Sequence, residues 1–140
     1  MQKLTSLFAT SFKTDPDSFN NSFNELLKDS NAIFLVAEEN GTPLGYLLGF
    51  DHYTLYANGR VSWIEEIFIL EDYRRKGFAK NLITSFEEWG KNRGSKLIGL
   101  ATRRAKDFYL ALGYEESTLI LQKIVIKTNI NFACRLSRKY

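Results

Sequence analysis

Three consecutive cations and a glycine stand together in the segment Tyr73–Leu82, which reads YRRKGFAKNL. The cations at 74–76 run into Gly77, Lys80 adds a fourth, and an apolar stripe of helical spacing begins at Ala79. The charges therefore stand at the start of a predicted helix, where free backbone N–H groups and the helix dipole attract anions. Gly77 lacks a Cβ and lets the backbone approach such an anion. The pattern indicates a diphosphate site, although the charges alone fit a solvated charge run equally well.

A second basic group precedes the next predicted helix. Arg103, Arg104 and Lys106 stand at its start, and Thr102 is the candidate N-cap. Helices that follow successive parallel strands begin at the same edge of a sheet. We therefore expect the two basic helix starts to face one multiply phosphorylated ligand.

The hydrophobic periodicity predicts the elements that would position these residues. Helices are predicted over 4–12 and 20–28, and strands over 32–38, 44–56 and 61–70, with Asn40-Gly41 as a hairpin turn. A helix follows Gly77 and is expected to end at Gly90 to Gly94. A strand over 96–101, a helix closed by Gly113 and a last strand over 118–127 complete the pattern. We predict an α/β fold with a mixed, mostly antiparallel central sheet and helices on both faces.

Length and composition narrow the class of protein. The 140 residues fit a single domain, with a basic extension from about residue 128. The chain has 19 basic and 16 acidic residues, and five of the basic ones lie in 122–140, which contains no acid. No apolar run is long enough for a membrane span. The single cysteine, Cys134, excludes an internal disulfide and favours a cytoplasmic location, and with only one histidine we expect no metal site.

Two segments resemble the GNAT superfamily of N-acetyltransferases. RRKGFA is similar to the [Q/R]-x-x-G-x-[G/A] signature, with Arg74, Gly77 and Ala79 at its defined positions. The surrounding IEEIFILEDYRRKGFAKNLI resembles the strand, pyrophosphate loop and helix of that family, and DFYLALGY at 107–114 resembles its late FY-x-x-x-G-[FY] segment. The resemblance covers about residues 32–127, in the layout of the small bacterial and polyamine-type enzymes. The chain departs from it by starting at a helix and by having Thr102 where many members have Asn.

The resemblance implies an acetyl-CoA-dependent transfer of an acetyl group to a primary amine, by direct attack in a ternary complex. The backbone of 67–69 would pair with the pantetheine arm, the amides of 75–80 would hold the pyrophosphate, and Thr102 and Ala105 would line the arm. The implied cofactor-binding residues are Ile67, Phe68, Ile69, Arg74, Arg75, Lys76, Gly77, Phe78, Ala79, Lys80, Thr102 and Ala105.

Such a reaction needs a proton acceptor, because an amine with a pKa of ~10.4 is almost entirely protonated near neutral pH and cannot attack a thioester. Glu65 and Glu66 are the candidates. Strict alternation groups Glu65 with Trp63 and Ile67, and Glu66 with Ile64 and Phe68. The two carboxylates then address opposite faces, and the resemblance favours Glu65 as the catalytic one.

The leaving thiolate also needs a proton. Tyr109 belongs to the apolar stripe of its helix, which by itself indicates a core residue. The resemblance implies instead that the Tyr109 hydroxyl lies near the thiol and protonates it.

Three alternatives remain open at this stage: acetylation of a protein N-terminus or lysine, a non-catalytic CoA-binding module, and a nucleic-acid-binding module that uses the basic tail. The net charge of +3 disfavours nucleic acid as the main partner. Apolar residues of the tail and the missing first strand, which leaves a sheet edge to cover, predict a possible homodimer.

Overall fold

The computed structural model describes residues 1–9 and 13–117, and the chain divides into two compact units, Met1–Arg104 and Ala105–Tyr140. The first unit contains α1 (Gln2–Phe8), α2 (Pro16–Lys28), β1 (Ala32–Glu39), β2 (Thr42–Thr54), β3 (Gly59–Ile69), a 3₁₀ turn (Glu71–Tyr73), α3 (Phe78–Asn92) and β4 (Ser95–Leu100). The second contains α4 (Lys106–Ala111).

The strands form one sheet in the order β1-β2-β3-β4. The first three strands are antiparallel neighbours, and β4 pairs with β3 in parallel. Asn40 and Gly41 both have positive φ, 50° and 77°, as the predicted hairpin turn between β1 and β2 requires. The predicted fold class, a mixed and mostly antiparallel sheet with helices, is confirmed.

The two faces of the sheet carry different side chains. On one face, Phe34 and Tyr46 stack with ring centroids 5.6 Å apart, and Phe23 of α2 and Phe8 of α1 pack edge-on against them. We call this the aromatic face. Helix α3 covers the other face, where the fully buried ring of Phe86 lies over Gly49 so closely that an added Cβ would come within 2.2 Å of it.

A buried carboxylate ties the C-terminal end of α3 to the sheet. Asp51 is 1% exposed and receives Arg93 Nε at 2.6 Å and Arg60 Nη1 at 2.8 Å. Asn31 accepts from both guanidinium groups at 3.3 Å. This cluster, Asp51, Arg60, Arg93 and Asn31, joins four segments of the first unit.

Several predicted boundaries are wrong. Helix α2 begins four residues earlier than predicted, because Asp15 caps it by accepting from the Ser18 amide at 2.9 Å. Gly90 lies inside α3 rather than at its end, and it is buried against Ser62. Thr102 does not cap α4, whose N-cap is Ala105. The predicted last strand and the basic tail lie outside the described residues.

The second unit is built around Tyr109. Its side chain is buried and packs edge-on against Phe108 and Tyr114. Gly113 has a φ of 91°, which confirms the predicted left-handed closure of the helix. Among the described residues, no helix combines the length and apolar character needed to cross a bilayer.

Candidate active site

Strands β3 and β4 separate part-way along their length. Their pairing runs from Arg60 with Ser95 to Ile64 with Leu100. Strand β3 continues to Ile69, and within the described residues no strand pairs with 65–69 on that side. This free edge of β3 offers backbone donors and acceptors to an extended ligand.

The hydrogen-bond register decides which backbone groups face the free edge. The Leu70 amide donates to the Leu44 carbonyl at 2.8 Å. Hydrogen-bonded pairs alternate in an antiparallel ladder, so Phe68 bonds to Tyr46 of β2, and Ile67 and Ile69 direct their N–H and C=O groups outward. The backbone of Phe68 is thus engaged with β2, and pantetheine binding by the 67–69 backbone stays a prediction.

The end of β3 leads into the start of α3 through a loop with unusual backbone angles. Arg75 has a φ of 61°, uncommon for a residue with a side chain, and Gly77, the N-cap of α3, has a φ of 90°. A Cβ built on Gly77 meets no heavy atom within 4 Å, so the space beside the helix start is open. The first turn of α3 contains no acid, so its free N–H groups and its dipole remain available to an anion.

The predicted cations differ in their contacts. Arg74 donates from Nε to the outward-facing Ile69 carbonyl at 3.0 Å, and its guanidinium lies 5.8 Å from the Phe68 ring centroid. Lys76 lies 5.0 Å from the Tyr73 ring centroid. Arg75 and Lys80 are exposed. Arg74 therefore joins the loop to the free edge of β3.

A β-bulge changes which residues share a face with the two glutamates. Leu48 of β2 pairs with Glu66 and Gly49 pairs with Ile64, so Glu65 has no partner residue on β2. Beyond the bulge the alternation is inverted, and Glu66 shares the aromatic face with Trp63 as well as with Phe68. The predicted grouping of Glu66 with Phe68 agrees with this register, whereas the grouping is wrong for Ile64 and Trp63: Ile64 shares the α3 face with Ile67, and Trp63 belongs with Glu66.

The two glutamates also differ in burial and contacts. Glu65 is exposed, whereas Glu66 is half-buried and its Oε2 accepts from the Tyr46 hydroxyl at 2.6 Å. Burial, and then the hydrogen bond to Glu66, raises the pKa of Tyr46 far above its usual range, so this hydroxyl remains a donor at neutral pH.

The remaining predicted residues divide between the two units. Thr102, Arg103 and Arg104 follow β4 and are exposed. In the second unit, Ala105 caps α4, and Lys106 is ion-paired with Glu116 at 2.6 Å. Burial raises the pKa of Tyr109, which keeps its hydroxyl protonated.

The model of the acetyltransferase (GNAT) family matches residues 1–114. The chain belongs to this family. The free edge of β3 and the start of α3 at Gly77 are the two regions where the sequence analysis expects acetyl-CoA to bind.

Similar proteins agree with this family membership. An uncharacterized N-acetyltransferase of Methanocaldococcus jannaschii is 32% identical over 103 residues, which are 70% of this chain and 46% of that protein. An aminoglycoside N(6')-acetyltransferase type 1 of Salmonella typhimurium is 26% identical over 104 residues, 69% of this chain and 72% of the relative. The GNAT chain thus spans about half the length of the first relative.

The fold is also that of solved acetyltransferases. The structure of AAC(6')-Iy in complex with the bisubstrate analog CoA-S-monomethyl-acetylneamine has a TM-score of 0.76 and 22% identity, over 89% of both chains. At this identity the likeness shows a shared fold.

Sequence reasoning missed Tyr46, which has no distinctive spacing. It also missed the bulge, for which a signal exists. Ile64 and Ile67 are both large and apolar, and strict alternation would put them on opposite faces, with two glutamates between them. One extra residue in the strand resolves the conflict.

Proposed function

We propose that the chain is an acetyl-CoA-dependent N-acetyltransferase that transfers the acetyl group to a primary amine by direct attack in a ternary complex. The observation that carries the proposal is the continuity of the free edge of β3 with the helix start at Gly77. An extended amide-containing arm fits the edge, and a diphosphate fits the unopposed amides and cations that follow it. AAC(6')-Iy binds a CoA-containing analog on the same fold, which supports this reading.

Within this proposal, the outward backbone groups of Ile67 and Ile69 bind the pantetheine arm. The amides of 75–80 and the side chains of Arg75, Lys76 and Lys80 hold the diphosphate. Thr102 and Ala105 line the arm. When bound, acetyl-CoA supplies the thioester and a thiolate leaving group.

The proton transfers are assigned to side chains of this chain. A glutamate of β3, Glu65 as first expected or Glu66, takes the proton of the acceptor ammonium. Tyr109 protonates the thiolate, and its raised pKa means that it carries the proton to be given at neutral pH. The alternative roles, acetylation of a protein amine or binding of CoA without catalysis, use the same acetyl-CoA site. A possible homodimer and a cytoplasmic location stay predictions.

The experiment is a screen of amine acceptors, among them aminoglycosides, polyamines and peptides, with release of free thiol from acetyl-CoA as the readout. Aminoglycosides are included because one relative is named for them. Tyr109→Phe retains the ring and should lower kcat roughly a hundredfold or more at unchanged acetyl-CoA affinity. A chain that binds no CoA would contradict the proposal. If the chain instead binds nucleic acid with an affinity that falls steeply as salt is added, and shows no turnover, the nucleic-acid alternative is favoured.

A further inference from the structure

The Glu66 carboxylate is held by a side chain that has little freedom to move. Tyr46 is 1% exposed, and its ring is fixed between Phe8 and Phe34, at centroid distances of 6.4 and 5.6 Å. Its hydroxyl meets Glu66 Oε2 at 2.6 Å, a distance typical of a strong bond to a carboxylate. The hydroxyl proton is therefore directed at Glu66.

The direction of this hydrogen bond is fixed as well. A tyrosine hydroxyl has one proton and an ionised carboxylate only accepts, so Tyr46 donates to Glu66. A carboxylate offers about four acceptor positions, so one bond from Tyr46 leaves capacity for an ammonium.

We propose that Tyr46 is a positioning residue that holds the Glu66 carboxylate for the acceptor amine, so that Glu66 rather than Glu65 binds the ammonium and takes its proton. This inference rests on the proposed acetyl transfer. The observations that carry it are the pairing of Glu66 with Leu48, which puts Glu66 on the aromatic face, and the half-burial of Glu66 beside a fully buried donor. Glu65 is exposed at the bulge itself.

The protons balance in the following way. The ammonium gives one proton to Glu66, directly or through a water, and the neutral nitrogen forms the C–N bond as the thioester C–S bond breaks. Over a turnover the ammonium loses two protons, one of which ends on the thiol and the other in solvent.

The groups around Glu66 come from three elements. Tyr46 lies on β2, Phe8 of α1 packs edge-on against the Tyr46 ring, and Arg74, in the loop after β3, lies over the neighbouring Phe68 ring. Phe68 and Trp63, on either side of Glu66 on this face, are aromatic, and aromatic faces attract cations. The surroundings therefore favour an acceptor that arrives as a cation.

The test compares matched variants of the full chain. Glu66→Gln should lower kcat/KM roughly a hundred- to ten-thousandfold, and Glu65→Gln, which removes the same charge one residue away, should change it only a few-fold. Tyr46→Phe should lower kcat/KM about tenfold, the value of one hydrogen bond to a charged group. In the Glu66→Gln background Tyr46→Phe should have no further effect, because Tyr46 acts through Glu66.

A second readout does not depend on turnover. The affinity of the CoA-bound chain for the acceptor amine, measured by calorimetry, should fall in Tyr46→Phe, whereas the affinity for acetyl-CoA should not change. An unchanged amine affinity would overturn the positioning role, as would additive losses in the double variant. A damaging Glu65→Gln beside a silent Glu66→Gln would overturn the choice of carboxylate. The proposed function fails separately, if the unmodified chain does not bind acetyl-CoA.

Discussion

Replacement of Gly77 tests the proposed diphosphate site most directly. Gly77 has a φ of 90°, and a Cβ at this position meets no heavy atom within 4 Å. Alanine therefore introduces backbone strain without a steric clash. The left-handed conformation costs an L-residue about 1–2 kcal/mol. Reduced freedom of the unfolded chain offsets about 0.4–1 kcal/mol of that, so the net loss of stability should be about 1 kcal/mol.

The assay is the melting temperature with and without CoA. For a domain of this size the strain of Gly77→Ala should lower it by about 3–4 °C. In the unmodified chain, CoA at one hundred times its Kd should add about 2.7 kcal/mol, which corresponds to a rise of roughly 10 °C. Gly77→Glu should abolish that rise, because a carboxylate would then occupy the open space where we place the diphosphate.

Gly94 supplies the matched control. It has a φ of 81°, no heavy atom lies within 4 Å of its built Cβ, and it follows the other end of α3. Gly94→Glu should cost comparable stability and keep the full CoA-induced rise. A full rise in Gly77→Glu, or an equal loss of the rise in both variants, would refute the placement of the diphosphate.

Two further predictions concern stability. Asp51→Asn should lower the free energy of unfolding by about 3 kcal/mol, measured in urea. It removes the carboxylate that pairs with two guanidinium groups whose side chains are only 18% and 30% exposed. As a control, Glu25→Gln breaks an exposed pair with Lys28 and should change the free energy of unfolding by less than about 0.5 kcal/mol. The raised pKa values of Tyr46 and Tyr109 mean that both bind their protons more tightly when folded. Their contribution to the free energy of unfolding is complete below about pH 10, the pKa of an unperturbed tyrosine, and is lost as the pH rises above that value. Melting temperatures between about pH 9 and 11 should therefore fall less steeply in Tyr46→Phe, whereas Tyr53→Phe, at a site that is 76% exposed, should match the unmodified chain.

The order of the elements could be predicted because local chemistry determines it. Asn40-Gly41 specifies a turn with positive φ, and the stripe from Ala79 to Trp89 specifies a helix with one buried face. The boundaries were less predictable where a contact distant in sequence decides them. Glycine often ends a helix, yet Gly90 lies inside α3. A glycine stands there because the Ser62 side chain of β3 is too close for a Cβ to fit.

The residues of the candidate acetyl-CoA site could also be proposed from local sequence alone. The glycine, the cations and the following helix are contiguous, so their proximity does not depend on tertiary structure. The contacts of Arg74 could not be predicted in this way, because its Nε bonds to a carbonyl that is free only where β3 and β4 separate.

The residues that share a face with the glutamates depend on how two strands pair, and reasoning from one strand failed here for Trp63 and Ile64. Period-two alternation applies only while each residue of β3 has one partner on β2, and Glu65 has none. The bulge lies beside Gly49, above which the Phe86 ring of α3 already fills the space of a side chain. On β3 the extra residue lets Ile64 share the α3 face with Ile67, against apolar neighbours, and puts Trp63 on the aromatic face with Glu66. Apolar packing under α3 therefore accounts for the bulge, whereas Glu66 meets Tyr46 because it lies two residues before Phe68, the residue that pairs with Tyr46.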